Sequence, residues 1–152
     1  MTATLVARPG VPAPPATRRI IVGVIGPAPV EDALRYAFSE AARDANAVSV
    51  VATGPATDAE TVRLENTVRH WAGRYSVEAE FLARRGVDAV ITLAAASRRA
   101  DLLVIAAAPG PRAAATIAAL RHRAHSAVRV VGASSGGRGD DLRQAPARPA
   151  TR

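Results

Sequence analysis

Five short apolar runs recur along the chain, and a stretch with helical spacing separates each from the next. The first, Arg-Ile-Ile-Val-Gly-Val-Ile over residues 19–25, has no polar side between its ends. A strand that is apolar on both faces belongs inside a sheet covered on both sides. Residues 48–52, 77–82, 101–106 and 127–132 supply the other four runs. Alternation of this kind, with short connections, demands parallel strands joined by right-handed helical crossovers. The expected fold is therefore α/β: one domain, an open, mostly parallel five-stranded sheet with helices on both faces, Rossmann-like. Counted along these runs, the expected strand order is 3-2-1-4-5. Ligands of such sheets bind outside the C-terminal ends of the strands, where the order reverses, which directs attention to the loops at residues 25–29 and 106–111.

The helical stretches carry their own punctuation. Gly26-Pro27-Ala28-Pro29 stops the first strand, because proline gives no amide to a ladder. Val30, Ala33, Leu34, Ala37, Phe38, Ala41 and Ala45 then follow at helical spacing. Thr57-Asp58-Ala59-Glu60 reads as a capping box, with Leu64, Val68, Trp71 and Tyr75 as the inner face of the helix it opens. Residues 77–82 alternate apolar and polar, as an edge strand does. Gly86 leads into a third helix with Val87, Val90, Ile91 and Ala94 expected inward, and Arg98 and Arg99 at its C-terminal end, where the dipole favours cations. Pro111 opens a fourth helix whose inner face is Ala113, Ile117, Leu120 and Ala124.

Two terminal segments flank this domain, which is taken as residues 18–133. Residues 1–17 are rich in Pro and Ala; residues 134–152 hold Gly136-Gly137-Arg138-Gly139 and a Pro/Ala/Arg ending. Neither shows apolar periodicity, so both are expected to be disordered. The basic charge is concentrated there. The net charge is +7, carried by 20 Arg and no Lys against 13 acids. Residues 1–19 hold +3, residues 134–152 hold +2, and the stretch between has 13 Arg against 11 acids. A polyanion partner is thus suggested for the tails and hardly for the domain. With aromatics at 3% there is little to stack on bases, and one Arg/Gly unit followed by Asp140 and Asp141 is a linker, so nucleic acid is not the expected partner. The absence of Cys excludes thiolate metal sites and thiol nucleophiles. No apolar run approaches a membrane span, and the Pro-punctuated N-terminus is no secretory leader; a cytoplasmic location is expected.

At this point the sequence resembles the universal stress protein family across residues 18–132. Arg18-Arg19-Ile20-Ile21-Val22-Gly23-Val24 is similar to the family's opening strand, Ala33-Leu34-Arg35-Tyr36-Ala37-Phe38 to its first helix, and residues 86–96 to its Gly-started third helix. Asp101-Leu102-Leu103-Val104-Ile105 is similar to its fourth strand, and residues 120–131 to its closing helix and strand. The resemblance implies an ATP cleft, yet the residues for it are missing. Where ATP-binding members have Val-Asp-Gly-Ser, this chain has Val24-Ile25-Gly26-Pro27, and Ile25 accepts no hydrogen bond. The family's Gly-x-x-Gly and later Gly-Ser or Gly-Thr become Ala106-Ala107-Ala108-Pro109-Gly110-Pro111-Arg112 and Ala114-Ala115. Glycines there let backbone amides reach phosphates at a helix N-terminus, and prolines remove those donors. No cofactor is therefore expected. The alternative is an atypical nucleotide cleft using Gly26, Gly110, Arg112 and main chain near Val51.

Other chemistry is thin. His122 and His125 have a chelating interval but stand among Arg121, Arg123 and Arg129, whose charges oppose a metal ion. Asp88 and Asp101 lie beside element starts, where carboxylates cap helices and turns. No serine sits in a nucleophile elbow, so no enzymatic activity is expected. The strand at residues 127–131 (Ala127, Val128, Arg129, Val130, Val131) is interrupted by a charge, which suits an edge; the family resemblance implies a homodimer paired through it. The expected function is a degenerate regulatory or protein-interaction module without ATP.

Overall fold

The computed structural model describes residues 2–5, 19–44, 46–54 and 57–131. Its strands are β1 (Thr2–Leu5), β2 (Arg19–Ile25), β3 (Ala47–Ala52), β4 (Ala79–Ala83), β5 (Leu102–Ala107) and β6 (Ala127–Val131). They form one sheet in the order β1-β4-β3-β2-β5-β6. The five strands from β2 to β6 are all parallel and have the expected order 3-2-1-4-5.

β1 corrects two expectations. It pairs antiparallel with β4, from Thr2 opposite Leu82 to Leu5 opposite Ala79, so the first seventeen residues are not all without structure and β4 is not the outermost strand. Thr2-Ala3-Thr4-Leu5 alternates polar and apolar, but four residues are the shortest run that marks a strand. Residues 6–18 and 132–152, including Gly136-Gly137-Arg138-Gly139, lie outside the described residues.

Helices α1 (Glu31–Asp44) and α2 (Asp58–Tyr75) cover one face; α3 (Ala89–Ala96) and α4 (Pro111–Arg123) cover the other. Alternate residues of the central strands feed the two cores. Val22, Val50 and Val104 meet Leu34, Phe38 and Val68 on the first face. Ile21, Val51, Leu103 and Ile105 meet Leu93 and Leu120 on the second. Thr57 caps α2, its hydroxyl accepting from the Glu60 amide at 3.1 Å. The other end of α2 closes on Ser76 in left-handed conformation, whose amide returns to the last turn.

α3 departs in part from its expected inner face. Gly86 leads into it, and Asp88, beside its start as expected, caps it by accepting from the Ile91 amide at 3.0 Å. Val90 and Ala94 pack on the second core as expected; Leu93 is the residue fully buried there, while Ile91, and Val87 before the helix, are exposed at 60% and 37%, contrary to expectation. Leu93 settles where β2 has no side chain: a Cβ on Gly23 would lie 2.7 Å from its Cδ1. Arg129 on the edge strand β6 is also accounted for. Its Nε donates to the Tyr36 hydroxyl at 3.1 Å and its guanidinium lies 5.0 Å from the centre of that ring, so its charge is drawn over α1. Among the described residues, no helix is long and apolar enough to cross a membrane.

Gly23→Ala is expected to lower stability by about 1–3 kcal/mol, because Leu93 is packed on every side and must shift; urea unfolding of the two proteins measures it.

Candidate functional site

The C-terminal tips of β2 and β3 are drawn together by one residue. Thr53, just beyond β3, donates both its amide (2.9 Å) and its hydroxyl (3.1 Å) to the Val24 carbonyl of β2. The next residue brings the two turns into backbone contact: a Cβ on Gly54 would lie 3.3 Å from the Cα of Gly26. Gly26 has φ +65°, and its carbonyl accepts from the Ala28 amide at 2.9 Å. The turn after β2 is thus folded tightly on itself, with Pro27 and Pro29 on either side of the engaged amide.

Beneath this turn, on the α1/α2 face, is a cleft of about 360 Å³. Val24 and Ala52 from the strands, Pro27, Ala28 and Val30 from the turn, and Leu64 from α2 give it apolar walls. Glu60, Arg63 and Thr67 complete it from α2. The Thr67 hydroxyl is turned into its own helix, donating to the Arg63 carbonyl at 3.0 Å. The Arg63 guanidinium is exposed and makes no ion pair among the described residues. The Glu60 amide is held by Thr57. Beside the mouth, Arg85 pairs with Asp58 at 2.6 Å and ties the loop after β4 to the start of α2. The cleft thus has a volume at the lower end of the small-ligand range, mostly apolar walls, and one carboxylate and one guanidinium among its lining side chains. Among the described residues there is no group of metal-ligating side chains.

The four sequence-derived candidates are divided among three places. Gly26 lines the cleft. The candidate at Val51 is its main chain; its side chain is buried on the opposite face with Leu93 and Leu103, and the next residue, Ala52, lines the cleft. Gly110 caps α4 with φ 139° and no side-chain bond, and Pro111 follows as the first residue of that helix. Arg112 is exposed one residue further on. Glu60, Arg63, Leu64 and Thr67 were not anticipated as site residues, although their spacing puts them on one stripe of a helix. The i,i+3,i+4,i+7 pattern was the available signal; which loop that stripe would face was not.

No protein-family model matches the chain, and no curated protein matches it in sequence. Solved structures do. A universal stress protein family member from Burkholderia pseudomallei is similar over 79% of this chain and 100% of its own, at 20% identity and a TM-score of 0.58. The fold is that of the universal stress proteins. A universal stress protein in complex with cAMP has 18% identity and a TM-score of 0.63, covering 79% of this chain and 100% of that one. Another universal stress protein, from Archaeoglobus fulgidus in complex with dAMP, has 22% identity and a TM-score of 0.54, covering 74% and 96%. In the universal stress protein fold of this chain, the turns at both strand tips are built with proline: Pro27 and Pro29 after β2, Pro109 and Pro111 after β5.

Gly26→Ala is expected to destabilise by about 1–2 kcal/mol, the cost of a left-handed conformation for an L residue, since nothing lies within 4 Å of the added Cβ. A urea midpoint shift with unchanged slope checks it.

Proposed function

We propose that this chain is a universal-stress-protein-like regulatory or protein-interaction module, cytoplasmic and without enzymatic activity, that binds no ATP. The observation that carries the proposal is the state of the amides at the strand tips. Phosphate recognition by loops of this fold class requires free N–H groups converging on one point. Here Pro27, Pro29, Pro109 and Pro111 have none, and the amides of Ala28 and Thr53 are engaged by the carbonyls of Gly26 and Val24. Gly110 and Arg112 stand outside the cleft, and the Ile25 side chain offers a ribose no acceptor.

The cleft itself favours a second reading, a nucleotide-binding sensor with an atypical site. Its apolar walls suit a base, Arg63 supplies a cation, and two proteins of the same fold are described with cAMP and dAMP. Calorimetric titration of the full chain with ATP, ADP, AMP and cAMP separates the readings. No saturable heat is expected up to millimolar nucleotide; micromolar binding of any of the four overturns the first reading in favour of the second.

The module is proposed to act as a homodimer joined at β6. The sheet order ends on this strand, leaving one backbone edge for a second copy, and the anchoring of Arg129 on Tyr36 supports an antiparallel contact in which the two like charges are held apart. Sedimentation velocity over a concentration series is expected to show twice the chain mass; a single-chain mass at every concentration refutes the dimer.

A further inference from the structure

At the N-terminal end of β5 and β6, opposite to the cleft, two cation-bearing turns are fastened side by side. One is the 3₁₀ turn Ser97–Arg99 after α3; the other runs from the last turn of α4 (Arg121, His122, Arg123) through His125 into β6. Ser97, fully buried, is the clasp: its hydroxyl donates to the Ala94 carbonyl at 2.7 Å and accepts from the His125 amide at 2.9 Å. Arg98 Nε–H then reaches His125 Nε2 at 3.4 Å. Arg98, Arg99, Arg121 and Arg123 are all exposed, and none forms an ion pair with a carboxylate among the described residues.

The ordinary explanation for cations here is the helix dipole, and it is too small. Each helix end carries roughly half a negative charge, so the two ends balance about one arginine of the four. Nor is the cluster a sample of a generally basic surface. Among residues 19–131, the other ten arginines are outnumbered by eleven acids, counting Asp101 two residues after Arg99, so these four arginines account for the positive excess of the domain.

We propose that this junction is a docking surface for an acidic segment of a partner protein. Guanidinium forks pair with carboxylates in two-point contacts, and a Lys-free cluster presents only forks. Nucleic acid fits less well. The aromatic side chains that would stack on bases, Tyr36, Trp71 and Tyr75, pack on the α1/α2 face. Four arginines at one end of the domain also fall short of the about 6–10 phosphate contacts typical of duplex binders. The proposal rests on the reading of the chain as a protein-interaction module, while nucleotide titration tests the loss of ATP separately.

The test is fluorescence anisotropy with the full chain and three probes: a labelled Glu/Ala peptide, its Gln-for-Glu counterpart and a duplex DNA oligonucleotide. The Glu peptide alone is expected to bind appreciably, more weakly as salt rises. The triple variant R98Q/R121Q/R123Q is expected to lose about tenfold or more in affinity, as three exposed charge pairs together predict, with an unchanged melting temperature. Arg98→Gln alone is expected to give a smaller loss, and it decides the matter if the triple variant melts early. Replacing Arg138, Arg143 and Arg148 by Gln is expected to leave binding intact. The proposal is overturned if the Arg98 and triple variants bind as the parent does, if the tail variant loses the peptide, or if the DNA binds more tightly than the peptide.

Discussion

The parallel pairing of β2 with β3 on one side and β5 on the other governs the rest of this molecule. A strand with neighbours on both edges has its backbone groups satisfied and offers only its two faces, and neither can be left in water when both carry Ile and Val. Ile21, Val22 and Val24 are all buried, alternately toward α1/α2 and α3/α4. Helices must then cover both faces, and each has to fit what the strands present. At Gly23 the fit is closest: the missing side chain is the space that the Leu93 side chain occupies, and so the rotation of α3 is set by a glycine on a strand.

The same geometry places function at the ends of the strands, because the faces are filled. At the C-terminal tips of β2 and β5, Pro27, Pro29, Pro109 and Pro111 carry no amide hydrogen, and the amides of Ala28 and Thr53 are engaged within the turns. The Val24 carbonyl receives two bonds from Thr53 and the Gly26 carbonyl receives one from Ala28, so the turn is stabilised by the groups that would otherwise meet a ligand. What is left is an apolar cleft with one arginine at its rim. At the other end of the sheet lies a polar junction with surplus charge, held by the buried Ser97.

Much of the architecture was legible without coordinates. The doubly apolar runs, the capping box at Thr57 and the proline at the start of α4 are local signals whose causes lie within a few residues, and each element appears where those signals stand. Errors arose where the cause was remote. The phase of α3 is fixed by contact with Gly23, far away in sequence, and its eight residues (Ala89–Ala96) are so uniformly apolar that any face is a plausible inner one. β1 is only four residues long, and its Thr-Ala-Thr-Leu alternation is too brief to name β4, far away in sequence, as its partner. Arg129, a charge inside an apolar strand, signalled an edge, but its partner Tyr36 could be named only from the fold.

For the site the division is sharper. The missing amide hydrogens at Pro27, Pro29, Pro109 and Pro111 are a property of residue type: a proline has no N–H in any fold, and the Ile25 side chain accepts no hydrogen bond wherever it sits. That much the sequence determined alone. Only the tertiary structure decided that Gly26 lines a cleft together with Glu60, Arg63, Leu64 and Thr67, and that Arg98 lies against His125. These are questions of which distant segments share a space, and they are answered by the packing of helices on a twisted sheet, to which every residue of the core contributes and which no short stretch of sequence contains.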